Sequence, residues 1–388
     1  MNALDSKEAM PLDGLCTRCI GRIFASEGHG LTNHQRGESF IESQSQNGIE
    51  ISVVKETDCR ICQGIFQSAE TYSTEISRRL SSYEYAGFTI GCTFSEETIE
   101  MESSIQASFG SKGESIKKEF NREIGKLIEQ HTGKSFQKDD PDIMIKVDTR
   151  YMSMDFQVKS LFVYGTYRKY SRDMPQTRWI KYTEKKDTIE SIIGEILNSL
   201  TGGDAYFLHG AGREDVDVRM LGNGREFIIE SCNPKQRSID LGKLGKLVNS
   251  SGKNVEIQDL SFTTRDKVRI LKEEKHSKVY LATVVADKDI DKEAFLKSLE
   301  AINGKVIYQR TPLRVSTSRS DLVRERMVFG ITMENLQGNT ATLRIEAEAG
   351  VYIKELVSGD RGRTNPNLSD VSGMDLTISE LDVIEIKR

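Results

Sequence analysis

Gly212-Arg213-Glu214-Asp215 runs straight into an alternating stretch, Val216-Asp217-Val218-Arg219-Met220-Leu221. A carboxylate two residues from an arginine has the makings of a nucleophile or a base. It must be ionised to act, and a neighbouring cation keeps a carboxylate so. Asp217, two positions on, is the rival for the same role. After Gly222-Asn223-Gly224 comes a second strand-like run, Glu226-Phe227-Ile228-Ile229-Glu230. Asn-Gly between two such runs predicts a β-hairpin, because both central residues of a type I′ turn need positive φ. A rigid element of that kind would fix a catalytic side chain better than a loop.

A second constellation is Cys16-x-x-Cys19 with Cys59-x-x-Cys62, four of the six cysteines. Two Cys-x-x-Cys pairs let four thiolates close a tetrahedron, the geometry zinc takes in structural sites. Residues 20–58 lie between the pairs, more than a minimal zinc ribbon needs, so a small subdomain is expected there. Disulfides do not suit a cytosolic chain, and a redox pair would not need a second copy. His29 and His34 are spare ligands at best. Cys92 and Cys232 read as small buried hydrophobes.

The chain has 388 residues, 37% hydrophobic and 29% charged, with a net charge of −5. That excludes a protein coated in basic surface but not local RNA contact. One basic cluster holds Arg168, Lys169, Arg172, Arg178 and Lys181, interleaved with Tyr164, Tyr167, Tyr170 and Trp179. The other holds Arg310, Arg314, Arg319, Arg324 and Arg326. Aromatics among the cations of the first favour RNA, since rings stack on unpaired bases. The opening residues lack a basic start and an apolar core, and no apolar run approaches a membrane span. A cytoplasmic location is the expectation.

The elements that must position these residues follow from period and punctuation. A helix is expected near 66–82. Ile116, Phe120, Ile124, Leu127 and Ile128 predict an amphipathic helix over 112–131. Asp139-Asp140-Pro141-Asp142 turns the chain into strand-like runs at Ile143–Val147 and Phe156–Tyr164. Further on, helices are expected at about 188–200, 239–250 and 291–301, with strands at Ala205–Leu208, Val255–Phe262 and Lys278–Val285. The mixture lacks a strict βαβ alternation, so the fold class is α+β with a mixed, mainly antiparallel sheet. Three regions are expected: 1–68 binding zinc, 69–183 binding RNA, and 184–388 carrying the chemistry. No dinucleotide fingerprint, P-loop or His-Glu-x-x-His motif occurs, so no organic cofactor is implied.

His209-Gly210-Ala211-Gly212-Arg213-Glu214-Asp215-Val216-Asp217-Val218-Arg219-Met220-Leu221-Gly222 closely resembles the signature of the archaeal-type tRNA pseudouridine synthases of the T loop, the PsuX family. Gly350-Val351-Tyr352-Ile353-Lys354-Glu355-Leu356 resembles a second family motif, with Val351 and Lys354 replacing its Thr and Arg. Gly359-Asp360-Arg361-Gly362-Arg363-Thr364-Asn365-Pro366-Asn367 resembles a third. Residues 70–180 resemble a THUMP domain, a module of tRNA-modifying enzymes. The resemblance covers about 15–65, 70–182 and 205–370. It implies Asp215 as nucleophile, Tyr280 of Lys278-Val279-Tyr280 stacked on the target uracil, and Lys354 paired with the catalytic aspartate. It further implies tRNA, through its T arm and acceptor end, as the partner. The uridines would be those at tRNA positions 54 and 55. Arg213 and Tyr352, with Arg168, Lys169 and Arg172 on a docking edge, are the expected RNA-binding residues.

The chemistry fits the absence of cofactor motifs. Uridine becomes pseudouridine by exchanging an N-glycosidic bond for a C–C bond, with no redox step and no group donor. The carboxylate attacks either C1′ of the ribose or C6 of the ring, and Lys354 or Arg213 would keep it charged. Tyr280 can stack and can move a proton. A uridine inside a folded loop must be flipped out first. A different reading keeps the same modules but no activity, as a tRNA-binding protein or RNA chaperone. The presence of Asp215, Tyr280 and Lys354 speaks against it.

Overall fold

The computed structural model describes residues 10–27, 30–110, 113–178, 186–317 and 319–388. His29, Trp179, Lys181 and the boundary expected near 184 lie outside the described residues. The chain divides into two compact units, residues 1–159 with 235–237, and residues 160–234 with 238–388.

In the first unit the helices Thr17–Ile23 and Asn33–Gln46 cross through two glycines. A Cβ on Gly21 would lie 1.8 Å from the Asn33 carbonyl oxygen, and one on Gly37 would lie 1.9 Å from that of Thr17. Contact that close admits no side chain. Gly37→Ala should therefore lower the unit's stability by about 2 kcal/mol or more, read from a denaturant midpoint. Beyond these helices, the strands Ser135–Phe136, Gly87–Thr93, Ile143–Asp148 and Ser153–Val158 form a sheet in that order. Its apolar face packs on the helices Ala69–Leu80 and Ile116–Thr132 through Tyr72, Ile76, Phe120, Ile124, Ile128, Ile143 and Ile145, all fully buried. The period-3.6 stripe over 112–131 becomes this helix, capped by Ser115 and ended at Gly133 with positive φ. A buried arginine ties the unit together: Arg22 reaches Glu102 at 2.9 Å and Glu119 at 3.0 Å.

The second unit is built on one ten-stranded mixed sheet, antiparallel except where Leu376–Ile386 runs parallel to Val218–Cys232. The expected α+β class with a mainly antiparallel sheet stands. The strand and turn expectations do not all stand. The run expected as one strand, Phe156–Tyr164, is two strands in different sheets. Ser153–Val158 closes the small sheet, whereas Leu161–Lys169 lies in the large one between Val218–Cys232 and Val255–Thr263. The boundary between the units thus falls at 159/160, ahead of the expected one, because Val163 and Tyr167 face the large core.

The hairpin at Gly222-Asn223-Gly224 does not form either. Val218–Cys232 is one continuous strand whose two halves take different neighbours. Val218–Met220 pairs with Leu381–Val383 and Phe227–Cys232 with Ala205–Gly210, while Leu161–Lys169 pairs with both halves, Tyr167 opposite Arg225 and Lys169 opposite Met220. Both glycines have positive φ, and the extra residues between Met220 and Arg225 bulge past Tyr167 and Lys169 without reversing the chain. A Cβ on Gly222 would meet the Ile384 carbonyl oxygen at 1.8 Å. Asn223 bonds both backbone groups of Ile386, accepting from its N–H at 2.9 Å and donating to its C=O at 2.6 Å. Of the Asn-Gly pair only Gly224 has the positive φ that a type I′ turn needs at both positions, and the chain runs on without reversal.

Candidate active site and four-cysteine centre

The loop 211–217 lies where the sheet changes from antiparallel to parallel pairing. Val218–Cys232, Leu376–Ile386 and Lys278–Ala286 are consecutive strands there. Together with the loop they line a cavity of about 260 Å³, walled by Asp215, Val218, Lys278, Tyr280, Arg314, Tyr352, Lys354 and Leu381 among others. Asp215, Tyr280, Arg213, Tyr352 and Lys354, chosen from sequence at three separate places, all line it.

A buried polar layer holds the loop from beneath. Glu214 forms an ion pair with Arg225 at 2.8 Å, both side chains nearly inaccessible. The Tyr167 hydroxyl donates to Glu214 at 2.8 Å and accepts from Gln176 at 2.9 Å. Gln176 donates also to the Gly212 carbonyl, and Arg225 to that of Ala211. Apart from Arg225 Nε, which meets Glu214 as an ion pair without a hydrogen bond, these groups are hydrogen-bonded inside the layer, which rigidifies a network in a low-dielectric interior. Glu214 and Arg225 were missed in the sequence. The x of Gly-Arg-x-Asp gives no hint that it carries the buried half of the loop.

Two residues of the expected docking edge, Lys169 and Arg172, hold this loop. Lys169 is fully buried, and its ammonium donates to three carbonyls: Met174 at 2.9 Å, Asp215 at 3.1 Å and Val216 at 2.9 Å. Arg172 donates to the carbonyls of Asp217 and Leu381 and pairs with Glu380 and Asp382. Arg168 donates to the Gly222 carbonyl at 2.6 Å and to Glu256. Lys169, fully buried with its ammonium on three carbonyls, is not free for phosphates. Lys169→Met should leave tRNA affinity unchanged and lower the single-turnover rate about 100-fold. A displacement of about 1 Å at a reacting group costs that much.

The electrostatics of the aspartates differ from the expected pairing. Arg314, not Lys354, is the close partner of Asp215, at 2.7 Å. Lys354 lies 3.8 Å from Asp215 and 2.6 Å from Asp217. A lysine is a point charge without the planar fork of arginine, and here it settles on the second carboxylate. Burial acts to raise the Asp217 carboxyl, but the hydrogen bond and charge of Lys354 outweigh it, and the net shift is downward. Arg314 is itself held by Glu355 at 2.7 Å, a buried carboxylate on the short helix Ile353–Ser358. That helix is anchored by Gln309, fully buried, whose amide bonds both backbone groups of Tyr352. Arg314 stood in the sequence only as one member of a basic cluster. No local pattern links it to Asp215.

Tyr280 lies on the cavity wall with its ring almost wholly buried. Burial, with Arg225 opposing and Asp215 assisting, pushes its phenol up to about 12. It keeps its proton throughout the neutral range and cannot serve as a resting phenolate base. Arg213 is exposed at the rim and has no ion pair or hydrogen bond among the described residues. Arg319 donates to the Tyr352 hydroxyl at 2.8 Å and lies over its ring.

The four cysteines of the first unit come together as expected. All are buried, and their sulfur atoms lie within 4.8 Å of one another. Cys16 and Cys62 are 3.6 Å apart, Cys19 and Cys59 3.5 Å. A tetrahedral ion with Zn–S of about 2.3 Å sets its sulfurs roughly 3.8 Å apart, so the cage fits the ion. Cys16 and Cys19 come from the first turn of Thr17–Ile23. Cys59 and Cys62 come from a turn that ends in positive φ at Gln63 and Gly64. The thiol of Cys59 is held far below its ordinary value by hydrogen bonds from Cys16, Cys19 and Cys62. His34 stands exposed against Glu38, away from ligand duty.

Residues 162–387 match the family model described as Pus10, C-terminal, and residues 72–148 match the Pus10 THUMP domain, archaeal. These modules and the α+β sheet define an RNA pseudouridine synthase, an isomerase. The chain belongs to the Pus10 family of tRNA pseudouridine synthases. It is 48% identical to tRNA pseudouridine synthase Pus10 of Thermoplasma acidophilum, covering 96% of each chain. It is 48% identical to that of Picrophilus torridus, over 99% of this chain and 100% of the relative. The corresponding protein of Pyrococcus furiosus is 37% identical over 98% and 97%. Among solved structures, a Cbf5-Nop10-Gar1 complex is similar in part. It is 16% identical with a TM-score of 0.33, over 50% of this chain and 44% of that one. Among the described residues no helix is long and apolar enough to cross a membrane.

Proposed function

We propose that the protein isomerises uridine to pseudouridine in the T loop of tRNA, at positions 54 and 55, with Asp215 as nucleophile. The observation that carries the reading is Asp215 and Arg314 at 2.7 Å on the wall of a cavity that also holds the Tyr280 ring. The target base leaves its stack and enters this cavity, at an energetic cost of a few kcal/mol. Arg213, exposed and unpaired among the described residues, takes up the gap left in the loop. Tyr280 stacks on the uracil. Asp215 attacks C1′ or C6, the C1′–N1 bond breaks, the ring turns, C1′–C5 forms, and the bond to Asp215 breaks to free the carboxylate. C5 loses its proton and N1 gains one, so the atoms balance with no co-reactant.

Arg314 keeps the nucleophile charged and aimed. Arg314→Ala should lower the single-turnover rate about 100- to 1,000-fold, as removal of a preorganised charge at a reacting centre does. Lys354→Ala should cost about tenfold, since its nearer partner is Asp217. The reverse order would show that the cation of the short helix is the one the nucleophile uses. A structural zinc ion held by Cys16, Cys19, Cys59 and Cys62 orders residues 10–68 and takes no part in the reaction. RNA affinity comes from the first unit, through a THUMP-like grip on the acceptor end, and from Arg213, Arg319 and Tyr352 at the cavity. A cytoplasmic location suits a tRNA substrate. Mapping pseudouridines in an unmodified tRNA transcript incubated with the purified chain tests the positions. Product outside the T loop would overturn them.

A further inference from the structure

Isomerisation leaves one charge unaccounted for. Whether Asp215 attacks C1′ or adds to C6, the uracil ring carries negative charge on the way. Heterolysis of C1′–N1 leaves the electron pair on the base, spread over N1, O2 and O4. Addition at C6 places it on the C5–O4 enolate. Arg314 is occupied by Asp215 and Glu355, Lys354 by Asp217, and Arg225 by Glu214 and the Ala211 carbonyl. None of these three is uncommitted.

Lys278 is differently placed. It lies on the cavity wall on the strand Lys278–Ala286, two residues before Tyr280 and so on the same face of the sheet. Its ammonium has one acceptor among the described residues, the His276 carbonyl at 2.9 Å. An ammonium has three donors, so two remain. Among the described residues no carboxylate pairs with it. The charged and titratable groups around the cavity are Glu214 and Asp215 on the loop, Arg213 at its rim, and Arg225 on the strand Val218–Cys232. Tyr280 is on its own strand, Arg314 and Arg319 precede the strand Val323–Gln337, and Tyr352 and Lys354 are on the short helix. Burying an unpaired cation beside a reaction site is costly unless it is used there.

We propose that Lys278 is a catalytic residue that hydrogen-bonds a uracil carbonyl and stabilises the negative charge the base carries between cleavage of C1′–N1 and formation of C1′–C5. A lysine at this position acts as a preorganised donor in a water-poor site, where such a donor is worth far more than in solvent. The proposal rests on the reading of Asp215 and Tyr280 given above. Burial, and secondarily Arg225, lowers the Lys278 ammonium to about 8. A group with that value is charged below pH 8 and neutral above it, so the function it supplies fades as pH rises through 8.

The test compares the unaltered chain with Lys278→Met and Lys278→Arg in single-turnover pseudouridine formation on a tRNA transcript from pH 6.5 to 9.5. Equilibrium tRNA binding and circular dichroism are measured alongside. The unaltered chain should lose rate above about pH 8. Lys278→Met should be about 100-fold slower at pH 7 with tRNA affinity within about threefold, and should lack the alkaline limb. Lys278→Arg should be faster than Lys278→Met and should move the limb beyond the range, since a guanidinium stays protonated. Lys278→Met with an unaltered rate, or with the alkaline limb intact, would overturn the proposal. If Lys278→Met fails to fold, Lys278→Arg decides through its limb alone, and a limb left near pH 8 overturns it. An unaltered chain that makes no pseudouridine would defeat the underlying reading instead.

Discussion

Asp215→Asn should bind tRNA with the affinity of the unaltered chain and form pseudouridine at least about 10,000-fold more slowly, the scale at which loss of a nucleophile is felt. The substitution keeps shape and volume and removes the negative charge that the proposed reaction uses to attack. It leaves the loop intact, because the loop is held through other groups. Lys169 binds the backbone carbonyl of Asp215, and Glu214 carries the buried contacts to Arg225 and Tyr167. Asp217→Asn separates the two candidates. Asp217 is the more exposed of the two, and its partner is Lys354. Its loss should cost about tenfold or less, the range of a partly exposed ion pair. If Asp217→Asn alone abolished product, the nucleophile would be Asp217 and Lys354 its cation.

The second large effect lies in the first unit. Cys59→Ser should cut zinc from about one ion per chain to a small fraction and lower the stability of residues 10–159 by at least about 3 kcal/mol. Structural zinc contributes on the order of 10 kcal/mol to the folding of small sites. The sulfurs replace a core: Cys16, Cys19, Cys59 and Cys62 are buried beside Leu15, Ile20 and Ile61, and no disulfide joins them. Calorimetry with and without chelator, together with hydrogen exchange in peptides from 10–68, reads the effect. A zinc-free chain of unchanged stability would refute it. The chemistry in the second unit should persist at low temperature, since Asp215, Arg314 and Tyr280 all belong to residues 160–388.

What the sequence disclosed and what it concealed divide along a physical line. Local periodicity made the helix Ile116–Thr132 and the strand Lys278–Ala286 legible, because one face of each is buried and the other is not. Short motifs made Asp215, Tyr280 and the cysteines legible, because their chemistry needs fixed residue types. Gly222-Asn223-Gly224 reads as a hairpin because positive φ at a glycine serves a bulge in a continuous strand as well as a reversal, and only the pairing decides between the two. Arg314 escaped because its pairing with Asp215 is made by the fold between residues far apart in the chain. Arg168, Lys169 and Arg172 looked like a surface for phosphate. A lysine satisfying three carbonyls cannot be told from an exposed one by spacing, since backbone acceptors have no letter in the sequence.

The central claim is that the cavity around Asp215 isomerises uridine in tRNA by itself. Replacement of the C5 hydrogen by a bond to C1′ must release that hydrogen, so a transcript labelled with tritium at C5 of its T-loop uridines reports the reaction directly. The purified chain with no added cofactor should release one equivalent of tritium for each uridine converted, and nucleoside analysis should find pseudouridine in equal amount. A folded, tRNA-binding chain that releases no tritium would contradict the account.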